Sequence, residues 1–177
     1  QLALTTAPSA SSVSAVAFET QPVATIQDAS GNTRSADALV VTAALTTGTG
    51  TLSGTTVVTA SSGIATFVGL SLNLVGAADK VLTFTSSGLT SVTSSALSIT
   101  IASSTHLALA EPPCASIVSP LAFETQPVAT IQDASGNTRS ADALVATAAL
   151  TTRNATLSAP TVVTAAPGID TFVGPPP

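Results

Sequence analysis

The chain has 177 residues and a formal charge of −5, with only four basic residues, Arg34, Lys80, Arg139 and Arg153. Phosphate neutralisation takes several cations held close together, so these four argue against nucleic-acid binding and against attraction to anionic membranes. Charged residues are 7% of the chain and aromatics 3%, against roughly 25% charged in an ordinary soluble domain.

Ser, Thr, Ala and Val fill the vacated positions, which makes a neutral surface rich in hydroxyls. On a secreted protein such hydroxyls can carry glycans that solubilise and shield, so an extracellular or cell-surface location is expected. No apolar run approaches the roughly 18 residues of a membrane span, and no membrane insertion is expected. Gln1 opens directly on a strand-like segment, which fits a mature fragment or a chain whose signal was removed.

Helix formers other than Ala and Leu are scarce, and β-branched residues occur throughout. In chain order, residues 1–6 put Leu2 and Leu4 on one face. Residues 22–28 alternate Val23 and Thr25 against Ala24 and Ile26. Residues 38–47 place Leu39, Val41, Ala43 and Leu45 together, with Val40, Thr42 and Ala44 opposite. Residues 55–60 and 64–69 follow, the latter with Ala65 and Phe67 against Ile64, Thr66 and Val68. Residues 80–85 and 96–101 close the series. A period of two is the mark of a half-buried antiparallel strand. Turn clusters separate the strands at Ser30-Gly31-Asn32, Gly48-Thr49-Gly50, Ser61-Ser62-Gly63 and Ser86-Ser87-Gly88. About seven short strands in roughly 100 residues predict a β-sandwich.

The chain is also a tandem repeat. Residues 17–40, AFETQPVATIQDASGNTRSADALV, recur unchanged as residues 122–145, an offset of 105 that carries Phe18 onto Phe123. The same offset pairs Leu2 with Leu107, Val57 with Val162 and Phe67 with Phe172. A period that long is a whole domain, not a solenoid motif. The expected architecture is all-β, with two tandem β-sandwiches over residues 1–105 and 106–177.

Repeat two stops after Gly174 with Pro175–Pro177. Counterparts of Leu70, Leu72, Leu74, Leu82, Phe84, Leu97 and Ile99 are missing. Burial of such side chains is worth about 1.5–3 kcal/mol each, so the second sandwich is expected to be incomplete. Its open side would expose unpaired strand edges and an apolar groove. Either the sequence is a window of a longer array or a neighbouring chain supplies the strand. On the second reading the donor is the N-terminal segment, carrying Leu2, Leu4, Val13 and Val16, and the acceptor includes Ile169, Phe172 and Val173. Such a head-to-tail contact builds a filament of copies of the chain when it does not close.

Three runs carry a family resemblance: FxTQPVxTIQDxxGN, TLSGTTxVTAxxGxATFxGL and LTFTSSGLTSxTSSxLxIT. Together they resemble the invasin- or filamin-type immunoglobulin-like repeats of bacterial surface proteins and adhesins, over all of repeat one and over repeat two up to Gly174. The resemblance implies a sandwich used as spacer, stalk or assembly module, with no catalysis. Repeat two departs from it at Pro160, Pro167 and Asp170; the last replaces Ala65 on the face of Phe67.

No catalytic, cofactor or metal site is expected. His106 and Cys114 are the only His and Cys, and a metal needs three or four ligands while a Cys–His pair needs an orienting third group. Asp28 and Asp37, with their copies Asp133 and Asp142, offer too few carboxylates for calcium; Asp28 to Asn32 reads as an Asx-type turn. Asn154-Ala155-Thr156 is an N-glycosylation sequon, so Asn154 is the candidate glycan site.

Overall fold

The computed structural model describes residues 1–115, 123–150, 161–166 and 168–172. Among these every helix or strand is a strand: the protein is all-β. The chain divides into two compact units, Gln1–Ala102 and Ser103–Pro177.

Unit 1 contains β1 (Leu2–Thr6), β2 (Ser11–Val13), β3 (Val23–Ile26), β4 (Val40–Thr47), β5 (Leu52–Ser53), β6 (Val57–Thr59), β7 (Ile64–Thr66), β8 (Ser71–Leu72), β9 (Gly76–Thr85), β10 (Val92–Thr93) and β11 (Leu97–Thr100). One sheet has the order β1-β3-β7. The other runs β2-β11-β9-β4-β6, with β10 also on β9, and β5 pairs with β8 in a short ribbon. Pairing is antiparallel except between β2 and β11. All seven stretches expected from alternation contain strands. The four extra strands, β2, β5, β8 and β10, are two or three residues long, too short for a period of two to show.

Alternation sets the core. Along β4, Val41 and Ala43 are buried while Val40 is exposed; at β7, Ala65 and the following Phe67 are buried while Ile64 and Val68 are exposed. Leu2, Ala24, Ile26, Ala65 and Phe67 from one sheet meet Val41, Ala43, Leu82, Phe84, Leu97 and Ile99 from the other in a single apolar cluster. The rings of Phe67 and Phe84 touch across it, centroids 5.2 Å apart and tilted by 59°, the arrangement aromatic quadrupoles favour.

Unit 2 contains β12 (Ser104–Glu111), β13 (Val128–Asp133), β14 (Val145–Thr147), β15 (Val162–Thr164) and β16 (Ile169–Thr171), in sheets β12-β13-β16 and β14-β15. The repeat offset survives as register. Leu107 opposes Ile131 as Leu2 opposes Ile26. Thr130 opposes Ile169 as Thr25 opposes Ile64. Val145 opposes Thr164 as Val40 opposes Thr59.

Gly63 and Gly168 show why the loops repeat too. Both have positive φ, 76° and 75°, and a Cβ on either would collide with the carbonyl of Arg34 or Arg139 respectively. Only glycine meets both demands. The glycine carbonyls accept from the inner strand, Gly63 O from Ile26 N at 2.8 Å and Gly168 O from Ile131 N at 3.0 Å.

Candidate functional site

The polar candidates resolve into turn chemistry. Asp28 Oδ1 accepts from the backbone N–H groups of Ser30 and Asn32, both at 2.9 Å, and Asn32 Nδ2 donates to Asp28 Oδ2 at 3.0 Å. Asp133 repeats the cage with Ser135 and Asn137. Arg34 Nε donates to Asp37 Oδ2 at 2.7 Å, and Arg139 Nε to Asp142 Oδ2 at 2.9 Å. These carboxylates are engaged by donors of their own loops. His106 lies on β12 with Nδ1 3.0 Å from Thr105 Oγ1, and Cys114 is a half-buried free thiol. Among the described residues no three His, Cys, Asp or Glu side chains gather as a metal set.

The same contacts set the response to acid. Hydrogen bonds from Asn32 hold the Asp28 carboxyl below the ordinary aspartate value of 3.8. Arg34 does so for Asp37, and Arg139 followed by Ser104 for Asp142. Folding therefore favours the ionised forms. The stabilisation is present in full above the unfolded value and is lost as pH falls through the lowered folded values. Melting temperature is expected to hold down to about pH 5 and to drop below about pH 4. Asn32→Ala should flatten that drop in calorimetric melts; a melting temperature that climbed on acidification would contradict the assignment.

The units differ most at one strand edge. In unit 1, β4 is flanked on both sides. β6 pairs one edge, and β9 pairs the other through Thr42↔Thr85, Ala43↔Phe84, Ala44↔Thr83 and Leu45↔Leu82. In unit 2, β14 keeps the first neighbour, β15, in the same register. Its other edge has no strand among the described residues.

Several apolar side chains of unit 2 are more exposed than their counterparts in unit 1. Leu2 is 5% exposed, but its counterpart Leu107 is 52% exposed and Leu109 is 59%. Leu45 is half-buried, while Leu150 is 47% exposed. Phe172 occupies the seat of Phe67 and is buried, yet the only aromatic pair among the described residues is Phe67 with Phe84.

The residues expected to act in assembly fall as follows. Leu2 and Leu4 lie on β1, which pairs with β3 inside unit 1. Val13 ends β2, opposite Thr100 of β11, and Val16 is exposed. Residues 1–16 thus build unit 1 itself, and donating them would take Leu2 out of its core. Ile169 is exposed on β16; Val173 and Asn154 lie outside the described residues. The free edge of β16 is ordinary for this fold, because β7 ends its own sheet in the same way. Thr147-Ala148-Ala149-Leu150 repeats Thr42-Ala43-Ala44-Leu45, the β4 residues that face β9, but of these four only Thr147 lies within β14.

No family model matches the chain, and no curated protein or solved structure matches it.

Proposed function

We propose that the chain is a structural, non-catalytic subunit of an extracellular fibre or surface appendage. It is a tandem array of immunoglobulin-like sandwiches, joined head-to-tail to copies of itself by strand addition. The observation that carries this reading is that unit 2 keeps the registers of unit 1 while, among the described residues, β14 has one strand neighbour and Leu107, Leu109 and Leu150 are exposed. Unpaired backbone groups beside exposed apolar side chains are what a foreign strand satisfies. The low charge and abundant hydroxyls support an extracellular setting with covalent glycans, Asn154 among their candidate sites.

A second reading, a spacer or stalk of a cell-surface adhesin without self-assembly, draws on a different observation. The two apolar strands best suited to be donors, β1 and β9, are both engaged in unit 1. Sedimentation velocity over a wide concentration range, with negative-stain imaging of the same samples, separates the two. The fibre reading expects concentration-dependent oligomers and filaments. A single monomeric species throughout leaves the spacer.

A further inference from the structure

We infer that unit 1 is built to bear tension: β2 and β11 form a shear clamp that resists a pull applied along the chain. This goes beyond the proposed function and holds whether the unit serves in a fibre or in a stalk.

The observation that carries it is the direction of one strand pair. β2 and β11 run parallel, whereas every other strand pair among the described residues is antiparallel. Ser11 stands opposite Ser98, Ser12 opposite Ile99 and Val13 opposite Thr100. β2 lies near the start of the unit and β11 is its last strand. A pull on the chain ahead of β2 therefore acts at the Ser11 end, and a pull on the chain after β11 acts at the Thr100 end. These are opposite ends of the pair, so the two forces run along the strands in opposite senses. Inter-strand bonds lie across that axis and share the load. In an antiparallel pair both forces would act at the same end and part the bonds one at a time.

Bonds close the clamp at both ends. Ser98 N donates to Ala10 O at 2.9 Å and Ser14 N to Thr100 O at 2.8 Å. Thr100 Oγ1 adds a bond to Ser12 O at 3.2 Å. Just past β2 the chain is tied to a different segment. Ser14 Oγ donates to Asn73 O at 2.5 Å, Ala15 N to Leu72 O at 2.8 Å and Phe18 N to Leu70 O at 2.9 Å. Those ties stop slack from feeding through β2.

The two strands are anchored unequally. Leu97 and Ile99 root β11 in the core, 1% and 3% exposed, while Val13 at the end of β2 is 39% exposed. β2 is thus held by its backbone bonds more than by its side chains, so the direction of load decides its strength. β1, upstream, is paired separately on β3.

The test is single-molecule force spectroscopy on the full chain with Cys114→Ser, held by handles at two introduced cysteines. One protein carries Ala10→Cys and Ser103→Cys, which load β2 and β11 from opposite ends. The other carries Val16→Cys and Ser103→Cys, which load the pair from one end. All three positions are exposed. The first protein is expected to need about twofold the unfolding force of the second, or more, at equal loading rate, because its bonds must break together. The parallel register points the Ser12 N–H at β11 and the Val13 N–H away from it, on the free edge of β2. Ser12→Pro should therefore bring the first force down toward the second, and Val13→Pro should leave it nearly unchanged. Equal forces in the two geometries would overturn the inference, as would Ser12→Pro and Val13→Pro weakening the chain alike. If the proline variants do not fold, the handle comparison decides alone. Self-assembly is read independently, by sedimentation, and stands or falls without the clamp.

Discussion

Phe84→Ala is expected to cost unit 1 about 3–5 kcal/mol, and Phe172→Ala to cost unit 2 clearly less. Phe84 has no exposed surface and shares its cluster with Leu2, Ile26, Leu82, Leu97 and Ile99. Truncation removes the transfer energy of the ring, leaves a cavity between two sheets, and breaks the pair with Phe67 at 5.2 Å, which adds roughly 0.5–1.5 kcal/mol beyond area. Phe172 is buried but meets no other ring among the described residues, and Leu107, Leu109 and Leu150 of the same unit are exposed. Its loss leaves a gap that solvent can share. The chain has no Trp or Tyr, so denaturation is followed by far-ultraviolet circular dichroism, and hydrogen exchange assigns each transition to its unit. Equal losses at the two positions would mean that the interior of unit 2 is closed as tightly as that of unit 1, and the case for an acceptor edge would fall with it.

That comparison marks the boundary of what alternation could show. A period of two reports which face of a strand is dry, because successive side chains point to opposite sides. It therefore placed Val41 with Ala43 and Ala65 with Phe67 on the buried face, and both pairs are there. It has nothing to report where pairing slips. Residues 76–79 belong to β9, yet Gly-Ala-Ala-Asp carries no alternation. Between Lys80, opposite Leu97, and Gly76, opposite Ile99, the register shifts, and Ala78 takes a φ of 51°. A bulge adds residues that no periodicity anticipates.

Strand order was equally hidden. Of the expected acceptor residues, Ile169 begins β16, Phe172 follows it, and Val173 lies outside the described residues. Neighbours in a sheet are chosen by long-range pairing, and β9 lies against β4, with β5 to β8 between them in the chain. Among the described residues of unit 2, β14 has one strand neighbour, β15.

The same bulge holds the one buried ammonium of unit 1 and sets the last expectation. The Lys80 side chain is 1% exposed, and its Nζ lies 3.0 Å from Oδ2 of Asp79, whose side chain is 48% exposed. The Asp79 carboxylate occupies the space a Cβ on Gly76 would need, and the Lys80 stem passes where a Cβ on Gly48 would sit. Two glycines thus make room for a pair between adjacent residues. Removing the anion strands a charge in a dry interior, so Asp79→Ala is expected to cost about 3 kcal/mol, the low end for a broken buried pair because half of Asp79 already faces water. Removing the cation costs no such thing. Lys80→Met keeps the stem in its slot opposite Leu97, itself buried, and leaves Asp79 free to hydrate. Its effect should be neutral or stabilising by about 1–4 kcal/mol. In the Lys80→Met background, Asp79→Ala should then cost almost nothing, giving a coupling energy of about 2–3 kcal/mol from denaturation of the four proteins. If Lys80→Met alone lost as much as Asp79→Ala, the ammonium would be a net stabiliser, and the asymmetry between a half-exposed anion and a buried cation would not govern this site.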